Sequence, residues 1–154
     1  MKYPQYFWPE IKPFMNEKWF PKYEWVEDLK KELPDNFYEL RKLGENESFL
    51  SKLIRNDSVI DFIIYVNENK ISLNAKIDLS IYETNSYFYN KFMGTYLIDY
   101  AAFYGADKIF RFLKDEGVKL MPSLWIDVIH GKNAELIHLL EDYNIEPTIL
   151  IRMS

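Results

Sequence analysis

The chain contains no cysteine, which excludes disulfides, thiolate metal sites and cysteine nucleophiles. Glycine is scarce as well. Gly44, Gly94, Gly105, Gly117 and Gly131 stand singly, so there is no glycine-rich loop to wrap its backbone around a phosphate. Only two histidines are present, His130 and His138. Glu135-x-x-His138 has the spacing of one half of a carboxylate-bridged di-iron site, but that chemistry needs a second such pair, and the chain has none. No Ser, His and acid trio stands in a nucleophile-elbow context. No apolar run approaches the roughly 20 residues of a membrane helix. The N-terminal MKYPQYFWPEIKP is interrupted by Pro4, Pro9 and Pro13, where a signal peptide would be continuously apolar. Positive charge is in the minority, 19 Lys and Arg against 24 Asp and Glu for a net −5, and no basic run makes a phosphate-binding face. Together these absences predict an intracellular, cytoplasmic protein with no catalytic centre, no metal site and no cofactor. Neither nucleic acid nor membrane is an expected partner. The sequons Asn46-Glu-Ser48 and Asn56-Asp-Ser58 are then chance matches.

Proline and aromatic residues are instead concentrated at the N-terminus. Five of the seven prolines fall within the first 34 residues, interleaved with Tyr3, Tyr6, Phe7, Trp8, Phe14, Trp19, Phe20, Tyr23 and Trp25. This density predicts an irregular, partly extended arm over 1–23. At about 25 cal/mol per Å², leaving so many rings in water is costly, so the arm is expected to lie across the body of the protein. A helical cap over 24–46 follows. Trp25, Val26, Leu29 and Leu33 share one face and Pro34 ends that helix. Asp35 or Asn36 caps a second helix carrying Phe37, Leu40 and Leu43, closed by Gly44.

The remainder, 47–154, reads as repeats at about 47–66, 96–121 and 123–147, with an insertion at 67–94. Shifting Tyr96–Gly117 by 27 residues lays Ala101-Ala102 on Val128-Ile129, Ile109-Phe110 on Leu136-Ile137 and Phe112-Leu113 on Leu139-Leu140, with Gly117 on Asn144 of Ser123–Asn144. Each copy predicts a short helix, a tight turn, a second helix and a closing residue of positive φ. Neither buries its apolar face alone, whereas stacked copies do. Phe49, Leu50, Leu53 and Ile54, then Val59, Ile60, Ile63 and Val66, mark an earlier copy turning at Asn56-Asp57. Within the insertion, Ile71 to Ile81 alternates apolar and polar residues with the period of a strand but has no evident partner. A helix is expected near 80–90.

Ala101-Ala102, Gly105, Ile109-Phe110, Phe112-Leu113 and Gly117 resemble the ankyrin repeat, although the copies are spaced more closely than its usual 33 residues. Trp25–Pro34, Asn85-Ser86, Tyr100–Gly105, Pro122–Ile126 and His130–Leu140 are further similar to a very large ankyrin family of unknown function, expanded in a parasitic protozoan. The resemblance implies an all-α, ankyrin-like helix-turn-helix solenoid with an N-terminal helical cap. It also implies a non-catalytic protein–protein interaction scaffold, monomeric or weakly self-associating. Carried over from the family, Phe103, Tyr104, Asp127 and His130 take exposed positions on the first helices and are the expected partner-binding residues. Packing of Phe103 and Tyr104 on the arm or insertion is the structural alternative, and Trp125 is expected in the inter-repeat core. Members usually continue with further repeats, so the competing reading is a truncated repeat fragment that self-associates through an uncapped C-terminal repeat.

Overall fold

In the computed structural model, which describes residues 4–14, 33–90 and 94–147, the arm is more regular than its prolines suggest. Pro4–Phe7 and Lys12–Phe14 are 3₁₀ turns flanking the single α-turn α1 (Trp8–Ile11). The fixed φ of proline suits the first turn of a helix, and each new proline then stops propagation. An extended arm is therefore the wrong expectation for 4–14. The helix expected over 24–33 lies outside the described residues except for Leu33.

Two compact units divide the chain. The first joins the described residues up to Glu47 with Leu79–Tyr89. In it, α2 (Phe37–Leu43) starts at Asn36 without a side-chain capping bond and ends on left-handed Gly44. The Gly44 carbonyl accepts from the Thr84 N–H at 3.0 Å and the Thr84 hydroxyl at 2.9 Å. Phe37 packs edge-on to Tyr82 with ring centres 5.8 Å apart, and Phe37, Tyr82 and Phe88 are buried. Residues 79–89 of the expected insertion thus belong with α2 rather than with the repeats. The helix expected near 80–90 is the single turn α5 (Ser86–Asn90), begun by Asn85, whose side chain accepts from the Tyr87 N–H.

Arg41 ties the arm to α2. Its guanidinium bonds Glu10 at 2.6 Å and lies 4.7 Å from the centre of the Tyr6 ring. That hydrogen bond is the main reason the Glu10 carboxyl sits below its ordinary 4.5. A carboxyl whose pKa is depressed by folding stabilises the fold above its unfolded value, and the contribution is lost as pH falls through the folded value. We therefore expect Glu10→Gln to raise amide exchange over residues 8–11 at neutral pH, and the difference from wild type to vanish as the medium is acidified below 4.5.

The second unit, Ser48–Asp78 with Asn90 onward, contains three helical hairpins. They are α3 (Phe49–Arg55) with α4 (Val59–Glu68), α6 (Leu97–Phe103) with α7 (Asp107–Asp115), and α8 (Leu124–Gly131) with α9 (Ala134–Asp142). The expected strand over Ile71–Ile81 shrinks to β1 (Lys76–Ile77), paired antiparallel with β2 (Thr95–Tyr96), Ile77 opposite Thr95. Its partner can be no longer, because α6 begins at Leu97. The described residues are otherwise mostly helical.

The hairpins share one backbone signature. Their turns place Asp57, Gly105 and Lys132 at positive φ, and twelve or thirteen residues later Lys70, Gly117 and Asn144 do the same. At five of these six ends the following N–H reaches back five residues to a carbonyl, as in Ser58 to Leu53, Ala106 to Ala101 and Val118 to Leu113. This bonding satisfies the last carbonyls of each helix. Packing follows the expected faces. Ala101, Ala102, Ile109, Phe110, Leu113, Val128, Leu136, Leu139 and Leu140 are buried. Ile129, aligned with Ala102, is 58% exposed, because Ala102 faces α8 whereas Ile129 has no such neighbour among the described residues.

Candidate interaction surface

Short turns bring the C-terminal ends of the three first helices, α3, α6 and α8, to one edge of the second unit. The contact is closest between the second and third hairpins. A Cβ built on Gly131 would stand 2.4 Å from the Ala102 carbonyl oxygen and 3.1 Å from that of Phe103. Asn133 bridges the same seam. Its side-chain N–H donates to the Gly105 carbonyl at 3.0 Å while its oxygen accepts from the Glu135 N–H at 3.0 Å, capping α9. Across the other seam, Asp57 accepts from the N–H groups of Lys108 at 3.1 Å and Ile109 at 3.0 Å, so the first hairpin caps α7 of the second.

Counting back two residues from each left-handed turn residue gives Arg55, Phe103 and His130. These equivalent side chains, with Tyr104, form a row across the hairpins. The guanidinium of Arg55 lies 5.8 Å from the centre of the Tyr104 ring and donates to the Tyr100 hydroxyl at 2.8 Å. Tyr104 meets Phe103 edge-on at 5.3 Å. Phe103 stacks on His130 at 5.1 Å between ring centres, with the planes 28° apart. Phe103 and Tyr104 are half-buried and His130 is exposed. Three of the four expected partner-binding residues therefore come together on neighbouring hairpins.

The fourth, Asp127, does not join them. It is fully buried, which corrects the expectation that it faces outward. Leu124, Asp127, Val128 and Gly131 fall at helical i, i+3, i+4 and i+7, so Asp127 lies on the packed face of α8, in the register of buried Tyr100. Trp125 is half-buried, and its indole N–H donates to the Ile145 carbonyl at 2.6 Å, closing its own hairpin. His138 is exposed and pairs with Glu141 at 3.0 Å. Among the described residues no three His, Asp or Glu side chains gather as metal ligands, and no helix is long and apolar enough to cross a membrane. Arg55 was missed by sequence reasoning. Aligning Asp57 with Gly105 would have found it, since that register sets Arg55 against Phe103.

No protein-family model, curated protein or solved structure matches the chain.

Proposed function

We propose that the chain is a non-catalytic protein-binding scaffold, an ankyrin-like solenoid that presents the Arg55–Tyr104–Phe103–His130 row to a protein partner. The observation that carries this reading is the recurrence of one hairpin three times in the same backbone register, with equivalent side chains aligned along an edge. Stacked repeats of this kind offer extended surfaces rather than enclosed cavities. Aromatic and arginine side chains are the usual anchors of such surfaces. Affiliation with the large protozoan ankyrin family belongs to the same proposal and rests on the residue likeness given above. The missing cysteines suit an intracellular, cytoplasmic setting.

The test is affinity capture from the native cell using wild type, Phe103→Ala/Tyr104→Ala, and the exposed single change His130→Ala. Circular dichroism and light scattering monitor fold and oligomeric state. A monomer whose partner is retained by wild type and about tenfold depleted with the folded variants is expected, each lost anchor contributing about 1 kcal/mol or more. Undiminished capture by all three proteins would remove the proposed contact surface.

A further inference from the structure

We propose that the C-terminal face of the hairpin stack receives the N-terminal face of a second copy of this chain, head to tail. The inference goes beyond the scaffold reading and uses the two ends of the second unit, not its edge. The turn residues Asp57, Gly105 and Lys132 put the three hairpins in register. Three residues before them stand Ile54, Ala102 and Ile129, and five residues after them Phe62, Phe110 and Ile137. Both positions face the following hairpin: Gly131 approaches the Ala102 carbonyl, and Phe62 meets Phe112 with ring centres 6.2 Å apart. Ile54, Ala102, Phe62 and Phe110 are accordingly buried, whereas Ile129 is 58% exposed and Ile137 half-buried. Seven residues after each turn, Ile64, Phe112 and Leu139 occupy the position that faces the preceding hairpin. Leu139 is buried and Phe112 half-buried, but Ile64 is 50% exposed. The stack thus ends in isoleucine on both sides, at positions that its inner seams cover.

Solenoid ends that stay single carry polar outer faces. Here the two ends match each other instead. Ile137 of one copy against Ile64 of the next repeats the Phe62–Phe112 contact of the first seam. Spacing is compatible as well. The close second seam needs Ala102 and Gly131, but the first seam accommodates Ile54 and Tyr104 at the same two register positions. Ile129 and Asn56 would meet in that wider manner. A contact between unlike faces leaves one of each free, so copies add in an open series rather than closing as a pair. Lys52 and Asp61 are exposed on the receiving face, where the inner hairpins bury Tyr100 and Asp127, and Ile109 and Leu136. The lysine stem can lie along an apolar neighbour with its head in water, but the aspartate has no such stem. The association is therefore weak, with a Kd on the order of 100 µM, and the chain is monomeric at the dilution of affinity capture.

The experiment is sedimentation equilibrium of the full chain from about 10 µM to about 1 mM, where the average mass should climb steadily and pass that of a dimer. Ile129→Glu and Ile64→Glu each spoil one exposed face, and each alone should weaken self-association about tenfold or more. Mixed in equal amounts, the two variants should restore association but stop at the dimer, because only one intact pair of faces remains between them. Ile60→Glu is the control. Lys108 and Glu135 hold its register position, and all three residues are exposed, so this change should leave association as in wild type. Circular dichroism checks that every variant is folded. The inference is overturned by a wild type that stays monomeric throughout, by either face variant associating undiminished, by a mixture that stays monomeric, or by an equal loss with Ile60→Glu. Undiminished association of Ile64→Glu with loss in Ile129→Glu would mark a symmetric pairing of C-terminal faces instead. Partner capture through Phe103, Tyr104 and His130 is a separate readout, so the failure of either reading leaves the other standing.

Discussion

Gly131→Ala should destabilise the second unit by about 3 kcal/mol, the upper end of what overpacking a tight interface costs. The new methyl carbon would sit 2.4 Å from the Ala102 carbonyl oxygen and 3.1 Å from that of Phe103. Both obstacles are backbone within or beside α6, so neither can swing away as a flexible side chain would. The third hairpin must move off the second, stretching the Asn133 bridge to Gly105 and parting the Phe103–His130 stack. Helix propensity opposes this loss, since alanine is better than glycine in a helix by about 1 kcal/mol. The steric conflict is the larger effect. Gly117→Ala is the control: its Cβ would meet nothing within 4 Å, but φ is +87°, so only a conformational cost of about 1 kcal/mol is expected. Urea unfolding followed by far-ultraviolet circular dichroism ranks the two. Equal losses, or a smaller one at Gly131, would mean that the hairpins are not held at this separation.

These two glycines illustrate what the sequence disclosed and what it withheld. Gly117 was legible as a helix end, because a lone glycine after a leucine-rich run has one common meaning. Gly131 was not, because close approach of two backbones leaves no mark on local periodicity. The same division runs through the fold. Helical hairpins were readable from the apolar stripes of Ile109, Phe110 and Leu113 and of Leu136, Leu139 and Leu140. Asp127 was misjudged because a charged residue was assumed to face water, although its spacing from Leu124 and Gly131 already set it on the packed face. The β1–β2 pair was unreadable, since two-residue strands are created by tertiary proximity, not propensity. Of the interaction row, Phe103, Tyr104 and His130 followed from repeat register. Arg55 remained hidden because the first copy lacks the glycine that marks the turn in the second.

That missing glycine leads to the second large effect. Asp57 replaces it at φ 49°, a backbone region unfavourable for most side chains though less so for Asp and Asn. Its compensation is the pair of hydrogen bonds from the N–H groups of Lys108 and Ile109, which seat a negative charge at the positive end of α7. Asp57→Ala removes both bonds and keeps the unfavourable backbone, so we expect a loss of about 2–3 kcal/mol, from an N-cap combined with charge-assisted bonds. In a unit of this size that lowers the melting temperature by about 10–20 °C. Asp57→Asn tolerates the backbone but offers one acceptor oxygen where two are used, and should fall between wild type and alanine. Asp57→Gly frees the backbone without restoring the cap, so its advantage over alanine isolates the conformational part. Faster hydrogen exchange at Lys108 and Ile109 in the alanine variant would locate the damage in the second hairpin although the substitution lies in the first. Alanine melting within a degree of wild type would show that the first hairpin does not cap the second, and the stacked repeat would lose one of its two seams.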